Sequence, residues 1–516
     1  MDFLHRLSKH LGIESEEELA RMTREPSFDF IPRIDEEPAV KTAVGMIRRA
    51  MSERRKILVY GDYDTDGFMA TSIIVRCFHK LHYGASFFIP TRAKDGYGLT
   101  LENAKKIASA GYGLVILVDN GVTCLDQVSY LLTRGIETII IDHHDLPASL
   151  PPAGAIVHDK LLQYGDYPVS AGYLCALFSL ALLGEKDDYL LTLGAISLVS
   201  DLMPIRSHNR TLLALALRYI RANRYPEIMM LTTHMLVDEK TLGMEIIPKI
   251  NAIGRLVEDH SCQRVVHYFA DIEGVKKAEI AAWMGKVNEL RKTATAEAAS
   301  KIKIDPSCPA NVIVANISEG LNGLVANNVM HTNMKPTVIF TTSQKDPSCY
   351  IGSARSSDGF DITEAFKALR PYIVQSGGHP RAGGLTIKKE DYPVFREEFI
   401  RLASKNIAKK KETKAMEIDL SECNMESFRA IRALGPYGMD YPEPVFRLNN
   451  LRTDTFQYIR DGERLSTPLG NKVKLFSFHN GKSDFDGPYA NLDVKFSLND
   501  YRGEVTLCLY AEKVEE

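Results

Sequence analysis

Acidic and histidine side chains follow three predicted strands in the N-terminal half of the chain. They are Asp62, Asp64 and Asp66 after KILVYG, Asp119 after GLVILV, and Asp142, His143 and His144 after ETIII. Because ligands gather at the carboxyl ends of strands in an open parallel sheet, we expect these side chains to converge in one crevice. A further acid, Asp201, follows the apolar run LTLGAISLVS.

This set of side chains predicts a metal centre. Several carboxylates held within a few ångströms of one another repel, and divalent cations are the usual means of cancelling that charge. Aspartate oxygens mixed with histidine nitrogens suit Mn²⁺, with Mg²⁺ as a harder competitor and zinc as a third option. Two such ions about 3.5–4 Å apart would activate a water and stabilise phosphoryl oxygens. One Asp-Gly turn alone would favour a loop or helix cap, so the coincidence of three strand ends carries the hypothesis.

The elements that must position these residues alternate along the chain. Short apolar runs, from KILVYG at 56–61 to GAIVHD at 154–159, are separated by helix-like segments. This alternation predicts a mainly parallel α/β sheet covered on both faces. Gly67 and Gly121 follow acids at strand ends, where we expect each glycine to allow a tight turn.

The remaining chain predicts further domains. A peripheral helical segment at 1–45 precedes the catalytic domain at 46–270, in which helices dominate from about residue 170. A connector helix is expected at 271–305, a second α/β domain at 306–405 and a lysine-rich linker at 405–414. The stretch 415–516 reads as an antiparallel β module that fits a small OB-type barrel. Its aromatic residues, Phe456, Tyr458, Phe476 and Phe478, are candidates for stacking on nucleic-acid bases, although alternate aromatics in a small barrel more often form the core.

Length and composition narrow the classes of protein. The 516 residues exceed one compact domain, and no apolar run approaches the roughly 20 residues that span a bilayer. Eight cysteines without a C-x-x-C pair indicate reduced thiols in a cytoplasm. The net charge of −3 neither supports nor excludes nucleic-acid binding, because metal-binding carboxylates count against a basic groove.

Several motifs resemble those of a known family. GDYDTDG at 61–67, VDNG at 118–121, DHH at 142–144 and SLVSD at 197–201 are similar, in order and spacing, to the four motifs of DHH phosphoesterases. SGGHPRAGG at 376–384 resembles the motif of the DHH-associated domain. Further segments are similar to RecJ-type exonucleases: PKINAIGR at 248–255, EGLNGLVAN at 319–327, GSARS at 352–356 and LGPYGMDYPEPVF at 434–446.

The resemblance implies a role for each matching residue. The metal ligands would be Asp62, Asp64, Asp66, Asp119, His143 and Asp201, with Asp119 bridging two Mn²⁺ ions and Asp62 the weakest candidate. His144 would contact the scissile phosphate, and Asp142 would orient the site from outside the ligand set. Arg255 would hold a 5′-terminal phosphate, and Asn251 of the same motif would also bind the substrate. The substrate cleft would be lined from the second domain by Ser353, Arg355, Gly377, Gly378 and His379.

The activity implied is two-metal hydrolysis of single-stranded DNA from its 5′ end to mononucleotides, in repair and recombination. The partners implied are the DNA strand and a single-strand-binding protein or RecQ-type helicase; the chain is expected to be monomeric and not membrane-bound. One alternative is a DHH phosphodiesterase acting on short oligoribonucleotides or on linear or cyclic dinucleotides. Another is an inactive scaffold in a replication complex, and a manganese-type pyrophosphatase fits least, since such an enzyme needs only the first two domains.

Two segments depart from the family pattern. Asn316–Ser318 stand where RecJ proteins often carry an aromatic residue and a histidine. Met439–Tyr441 replace a glycine-asparagine pair before PEPVF. Both departures leave the expected metal ligands in place. They concern instead how the DNA strand is bound and where partner proteins dock.

Overall fold

The computed structural model describes residues 2–92, 94–96, 98–222, 225–270, 274–357, 359–405, 415–470, 473–478, 480–485, 487–501 and 504–512. Most of the expected linker, 406–414, lies outside the described residues. The helices are α1 (Phe3–His10), α2 (Glu16–Thr23), α3 (Pro38–Ser52), α4 (Thr65–Lys80), α5 (Leu101–Ser109), α6 (Leu125–Thr133), α7 (Asp159–Leu162), α8 (Ala171–Leu183), α9 (Asp188–Ser200), α10 (Ser207–Arg221), α11 (Pro226–Met229), α12 (Glu239–Thr241), α13 (Ile247–Leu256), α14 (Gln263–Phe269), α15 (Lys277–Ser300), α16 (Asn322–Asn333), α17 (Ile362–Ala368), α18 (Tyr392–Lys405) and α19 (Met425–Leu434).

The strands form three sheets. They are β1 (Ile57–Tyr60), β2 (Ser86–Phe88), β3 (Leu114–Val118), β4 (Glu137–Ile141), β5 (Ala155–Val157), β6 (Asn311–Val314), β7 (Thr337–Thr342), β8 (Cys349–Arg355), β9 (Gln375–His379), β10 (Ala382–Lys388), β11 (Met416–Glu417), β12 (Phe446–Arg452), β13 (Tyr458–Ile459), β14 (Arg464–Pro468), β15 (Val473–Phe476), β16 (Tyr489–Tyr501) and β17 (Glu504–Ala511). No helix in these described ranges has the length and apolar character needed to cross a membrane.

The first sheet confirms the parallel α/β prediction. Its order is β2-β1-β3-β4-β5, and every pair of neighbours is parallel. All residues of β1 and β3 are buried, because helices cover both faces of the sheet. The acids of the sequence therefore leave neighbouring strands β1, β3 and β4 at one edge. Helices α8 and α9 pack against α4 and are almost wholly buried, as their continuous apolar sequences predict.

Helix α15 runs from this sheet towards the second one, as the charged, proline-free stretch predicts. The second sheet has the order β6-β7-β8-β10-β9 and mixes parallel with antiparallel pairs. The SGGHPRAGG motif forms the paired strands β9 and β10, so its glycines lie in a hairpin rather than in a loop. Strand β9 is exposed along its whole length.

The C-terminal strands form a seven-stranded sheet, β11-β12-β16-β17-β15-β14-β13. Most pairs are antiparallel as expected, but β15 pairs with β17 in parallel, and so does β11 with β12. In a partly open Greek-key barrel, strands that are not consecutive along the chain become neighbours, and such neighbours can run in the same direction. The expectation of a purely antiparallel module is therefore wrong in these two pairs.

The N-terminal helices are not peripheral, contrary to the sequence prediction. Leu7, Ile13 and Leu19 are buried in the same hydrophobic cluster as the C-terminal module. Arg6 also pairs with Glu422 at 2.7 Å. The sequence of α1 and α2 has one apolar stripe each, and only the folded chain reveals that the C-terminal module covers it. The first and last segments of the chain thus pack together.

Candidate metal centre and phosphate pocket

The predicted ligands converge at the carboxyl edge of the first sheet. The side chains form three groups, and within each group the ligand atoms all lie within 4.8 Å of one another. The groups are Asp62–Asp64–Asp119, Asp66–His143–Asp201 and Asp119–His143–His144. His143 Nε2 lies 3.5 Å from oxygens of Asp66 and Asp119 and 3.4 Å from Asp201. Asp119 and His143 each belong to two groups, so the three groups form one continuous centre.

Asp119 stands at the middle of this centre in an unusual backbone conformation. Its φ is 59°, in the left-handed region that non-glycine residues rarely adopt. Its amide donates to Ile141 O at 3.0 Å, which ties the end of β3 to β4. Local strain of this kind persists where the surrounding structure enforces it and is concentrated at functional sites. The turn thereby places the carboxylate where two of the three groups of ligand atoms meet.

The hydrogen bonds around Asp66 and Asp142 distinguish their surroundings. Asp66 accepts from the first amides of α8, Ala171 N at 2.9 Å and Gly172 N at 2.7 Å, and from the Ser197 hydroxyl. Asp142 accepts from three backbone amides and from His144 Nδ1 at 2.7 Å. Because both oxygens of Asp142 accept these hydrogen bonds, Asp142 orients His144 and the turn. Asp66, in contrast, also lies 3.5 Å from His143 Nε2.

Electrostatics in the centre favour bound cations. Burial, followed by the charge of Asp64, raises the pKa of Asp62 to about 7. Burial and the neighbouring Asp66 raise the pKa of Asp201 to about 8 and also raise that of Asp119. Asp62 Oδ1 is buried without a hydrogen-bond partner among the described residues. A buried carboxylate oxygen without a donor is costly, so the donor set fits divalent cations with oxygen and nitrogen ligands.

The two glycines that follow acids serve different purposes. Gly121 has φ 116°, which agrees with the expected tight turn. Gly67, in contrast, lies in the first turn of α4, and a Cβ there would come within 2.5 Å of Asp62 O. Gly67 thus lets the chain fold back closely on Asp62 without a left-handed φ. The residue is required for close packing of the helix start on the Asp62 backbone.

Helix α13 braces the β1–α4 turn from the other side. Asn251 Oδ1 accepts from both the amide and the hydroxyl of Thr65, at 2.8 and 2.9 Å. Sequence reasoning assigned Asn251 to the substrate; its oxygen instead holds the turn between Asp64 and Asp66. One helical turn later, Gly254 packs directly on the turn, where a Cβ would lie only 1.7 Å from Tyr63 O.

This contact gives a testable pair of substitutions. Gly254→Ala is expected to lower the free energy of unfolding by about 1–3 kcal/mol, the usual cost of overpacking, and to displace the turn that carries the predicted metal ligands Asp64 and Asp66. The matched control is Gly285→Ala in α15, where an added Cβ meets nothing within 4 Å. That variant should gain about 0.5–1 kcal/mol from helix propensity. Urea denaturation of both variants checks the prediction, and equal stabilities would contradict it.

Arginines gather beside the metal centre. Burial, followed by the charges of Arg92, Arg355 and Arg291, lowers the pKa of Arg255 to about 10, while the charge of Asp64 opposes this shift. Arg92 also lies over the Tyr63 ring at 4.6 Å. Four guanidinium groups thus lie near one another, and two of them, Arg255 and Arg92, lie close enough to the acids to interact with Asp64 and Asp62. Sequence reasoning selected Arg255 and Arg355 but missed Arg92 and Arg291, because isolated arginines outside a motif carry no signal of their position.

The second sheet supplies the remaining candidates. Ser353 and Arg355 are two residues apart on β8, so both lie on the same face of that strand. Arg355 packs against α16, since a Cβ on Gly323 would lie 2.6 Å from its guanidinium. Gly377, Gly378 and His379 lie on exposed β9. The Lys160 hydrogen bond lowers the pKa of Asp145, and the charge of His379 contributes; His379 therefore faces the segment that follows His144.

Three known domains match the chain in the order in which they occur. Residues 56–188 match the DHH family, N-terminal domain, residues 310–405 the DHHA1 domain, and residues 415–513 the RecJ OB domain. The chain belongs to the RecJ-type DHH family. The resemblance drawn from the motifs is thereby confirmed, together with the α/β fold and its C-terminal OB domain.

Relatives and solved structures agree with this membership. The single-stranded-DNA-specific exonuclease RecJ of Bacillus subtilis is 32% identical over 430 residues, which are 80% of this chain and 54% of that protein. The chain thus spans about half the length of this relative. The RecJ of Haemophilus influenzae is 27% identical, with 92% of this chain and 90% of that protein covered. The crystal structure of Thermus thermophilus RecJ with Mn²⁺ has a TM-score of 0.83 at 21% identity, covering all of this chain and 76% of that one.

Proposed function

We propose that this RecJ-type chain is a metal-dependent exonuclease that hydrolyses single-stranded DNA from its 5′ end to mononucleotides. The observation that carries the proposal is that two sites of opposite charge lie next to each other. An acidic centre with three groups of ligand atoms lies next to a cluster of arginines, in which Arg255 interacts with Arg92, Arg355 and Arg291 and also with Asp64 of the centre. A cationic pocket beside a metal centre suits a terminal phosphate next to a scissile one.

The residues would divide the work as follows. The proposed ligand set is Asp62, Asp64, Asp66, Asp119, His143 and Asp201. Two divalent cations there, with Mn²⁺ as the proposed pair and Mg²⁺ as competitor, would supply Lewis-acid stabilisation of phosphoryl charge. His144, oriented by Asp142, contacts the scissile phosphate. Arg255, Arg355 and Ser353 hold the terminal phosphate, and His379 approaches from the opposite wall of the cleft.

Domain division follows from these roles. We propose catalytic residues 46–270, a connector at 271–305, a substrate-binding domain at 306–405 and a strand-binding module at 415–516, preceded by the helical segment 1–45. The charge and the length of α15 suit a spacer that sets the width of the cleft. A single-strand-binding protein or helicase would meet the chain outside this cleft, since the cleft itself is occupied by the DNA strand.

The C-terminal module contains an exposed aromatic cluster that fits the trailing strand. Phe478 is 51% exposed and stacks on Tyr510 with ring centroids 5.9 Å apart and planes 4° apart. Phe476 lies 4.7 Å from Phe478, and the Arg464 guanidinium lies 5.5 Å from the same ring. Of the four sequence candidates, Phe456 is wrong, because it is 9% exposed and packs on Phe485 in the core.

Removal of this cluster should weaken binding of long strands selectively. Base stacking contributes about 1–3 kcal/mol per base, so Phe478→Ala is expected to raise the Kd for a 20-nucleotide strand by about 5- to 150-fold. Hydrolysis of a dinucleotide should stay unchanged. Tyr489→Ala, at an aromatic residue 61% exposed in the same module, serves as the control. Fluorescence anisotropy checks the prediction, and equal Kd values for the two variants would contradict it.

The proposed activity is tested with a long single-stranded DNA labelled at either end. The protein is treated with chelator and then supplied with Mn²⁺ or Mg²⁺. We expect early release of the 5′ label as a mononucleotide, only with metal. Cleavage confined to di- to tetranucleotides would assign the chain to the short-oligonucleotide phosphodiesterases. Absence of hydrolysis with either metal would leave the scaffold function.

A further inference from the structure

A second charged cavity lies where three distant segments of the chain meet. Its walls are residues 21–26 of the N-terminal segment, helix α10 and the end of helix α19 with Gly435 and Pro436. The cavity measures about 430 Å³, which is enough for a small organic ligand. None of its lining residues belongs to the proposed metal centre or to the arginine cluster beside it.

The cavity is strongly basic. Its described lining contains six arginines: Arg21, Arg24, Arg210, Arg218, Arg221 and Arg432. The described lining has one acid, Glu25, which pairs with Arg218. Glu239 pairs with Arg432 at 2.9 Å, Glu18 lies 3.8 Å from Arg21, and Asp238 and Glu443 also interact with Arg432, so five carboxylates stand against six guanidinium groups. An excess of positive charge therefore remains in the cavity.

Arg210 forms the buried part of this wall. It is 9% exposed, and one of its terminal nitrogens donates to Met22 O at 2.9 Å, to Leu434 O at 3.1 Å and to Gly435 O. Its Nε is buried without a partner among the described residues. Burial lowers the pKa of Arg210, and burial together with the charge of Arg432 lowers the pKa of Arg221. In both groups burial is the largest cause, and the charge of Glu239 opposes it.

The rest of the lining is apolar and partly aromatic. Met22, Leu217 and Pro436 contribute aliphatic surface. Phe30 is 39% exposed, and the Arg24 guanidinium covers its ring at 3.2 Å. The stacked Arg24 guanidinium and Phe30 ring, beside several other guanidinium groups, form a flat surface that suits a ligand combining an anion with a planar ring. Phosphate suits several converging guanidinium groups, because each of its oxygens accepts hydrogen bonds and guanidinium groups donate in pairs.

We propose that this cavity binds a phosphate-bearing small ligand, either a nucleotide or inorganic phosphate, as a site separate from the catalytic centre. A ligand there contacts the N-terminal segment, α10 and α19 together. It therefore ties the C-terminal module to the catalytic domain. Because the ligand binds the folded chain, it raises the thermal stability of the protein by linkage. The proposal goes beyond the nuclease function and does not depend on it.

The test measures binding by the full-length, metal-free protein carrying Arg255→Gln, which weakens phosphate binding at the proposed catalytic pocket. The probes are deoxyadenosine monophosphate and inorganic phosphate, titrated by calorimetry at fixed salt. We expect one site per chain and a raised Tm with at least one probe. Tighter binding of the nucleotide than of phosphate would assign the base to the Phe30 surface, and equal binding would assign the site to phosphate alone.

Two further variants locate the site. Arg21→Gln combined with Arg218→Gln changes side chains that are 64% and 61% exposed, so the fold should persist, and affinity should fall at least tenfold. Ala214→Glu places a carboxylate on the cavity wall at a helical position and should have the same effect. Binding of neither probe, or binding that both variants leave unchanged, would overturn the proposal. Because the readout is binding, failure of the nuclease assay would not affect it.

Discussion

Asp119→Asn is expected to reduce metal-dependent hydrolysis of single-stranded DNA by about 1,000-fold or more, since cations contribute several kcal/mol to such reactions. Asp119 belongs to two of the three groups of ligand atoms, so its carboxylate affects the whole centre. Asparagine is the suitable replacement because it tolerates the left-handed backbone with φ 59° that this position requires. The rate with saturating Mn²⁺ on a 5′-labelled strand is the measurement.

The same substitution should stabilise the metal-free protein. Burial and the charges of neighbouring acids raise the pKa of Asp119, so its ionised form is held there at a cost in folding free energy. We expect a higher Tm for Asp119→Asn than for the parent protein in the presence of chelator. Asp126→Asn, at an exposed aspartate in the first turn of α6, is the matched control for both measurements. A fully active Asp119→Asn variant would contradict the assignment of the centre.

Arg255→Gln is expected to remove the preference for a 5′-phosphorylated end. A charged hydrogen bond contributes about 1.5–3 kcal/mol, so kcat/KM on a 5′-phosphorylated strand should fall by about 10- to 150-fold. On a strand with a 5′ hydroxyl the fall should be small, because no terminal phosphate is present to lose the contact. The remaining charges of Arg92, Arg355 and Arg291 keep the pocket basic. The ratio of kcat/KM between the two strands is therefore the quantity to compare.

Arg48→Gln provides the control for that comparison. Arg48 is an exposed arginine on α3, so it matches the change in charge without touching the cleft. An unchanged preference for phosphate in Arg255→Gln would show that another arginine reads the strand end. Loss of activity on both strands alike would instead place Arg255 in the support of the metal-binding turn, since Gly254 beside it packs on Tyr63.

The two departures from the family motifs lie at structural contacts. Met439 O accepts from Ile205 N at 2.9 Å, and Asp440 O accepts from Arg206. Ile205 lies four residues after Asp201, so the 434–446 segment supports the loop that presents this proposed ligand. In the other segment, Ile317 O accepts from Thr341 Oγ1 at 2.9 Å, at the end of β7. Backbone groups make these contacts, whereas Tyr441 also uses its buried side chain, whose hydroxyl donates to Leu434 O at 3.1 Å.

The sequence determined which acids would meet. Local apolar runs predict β1, β3 and β4, and parallel pairing brings the residues that follow them to one edge, so Asp62, Asp119 and Asp142 could be placed together in advance. The same reasoning predicted α15 and the second sheet, since periodicity and proline-free charge patterns are properties of neighbouring residues. These features depend on short-range rules and therefore survive without knowledge of the tertiary structure.

Only the tertiary structure decided how each side chain is used. Asp142 is turned to amides and to His144, and Asn251 is turned to Thr65, because contacts between segments far apart in sequence compete for the same oxygens. Arg92 and Arg291 join Arg255, and α1 and α2 pack on the C-terminal module, for the same reason. Local patterns limit which residues lie on a face. Which other element packs against that face depends on the packing of the whole chain, and no local pattern predicts it.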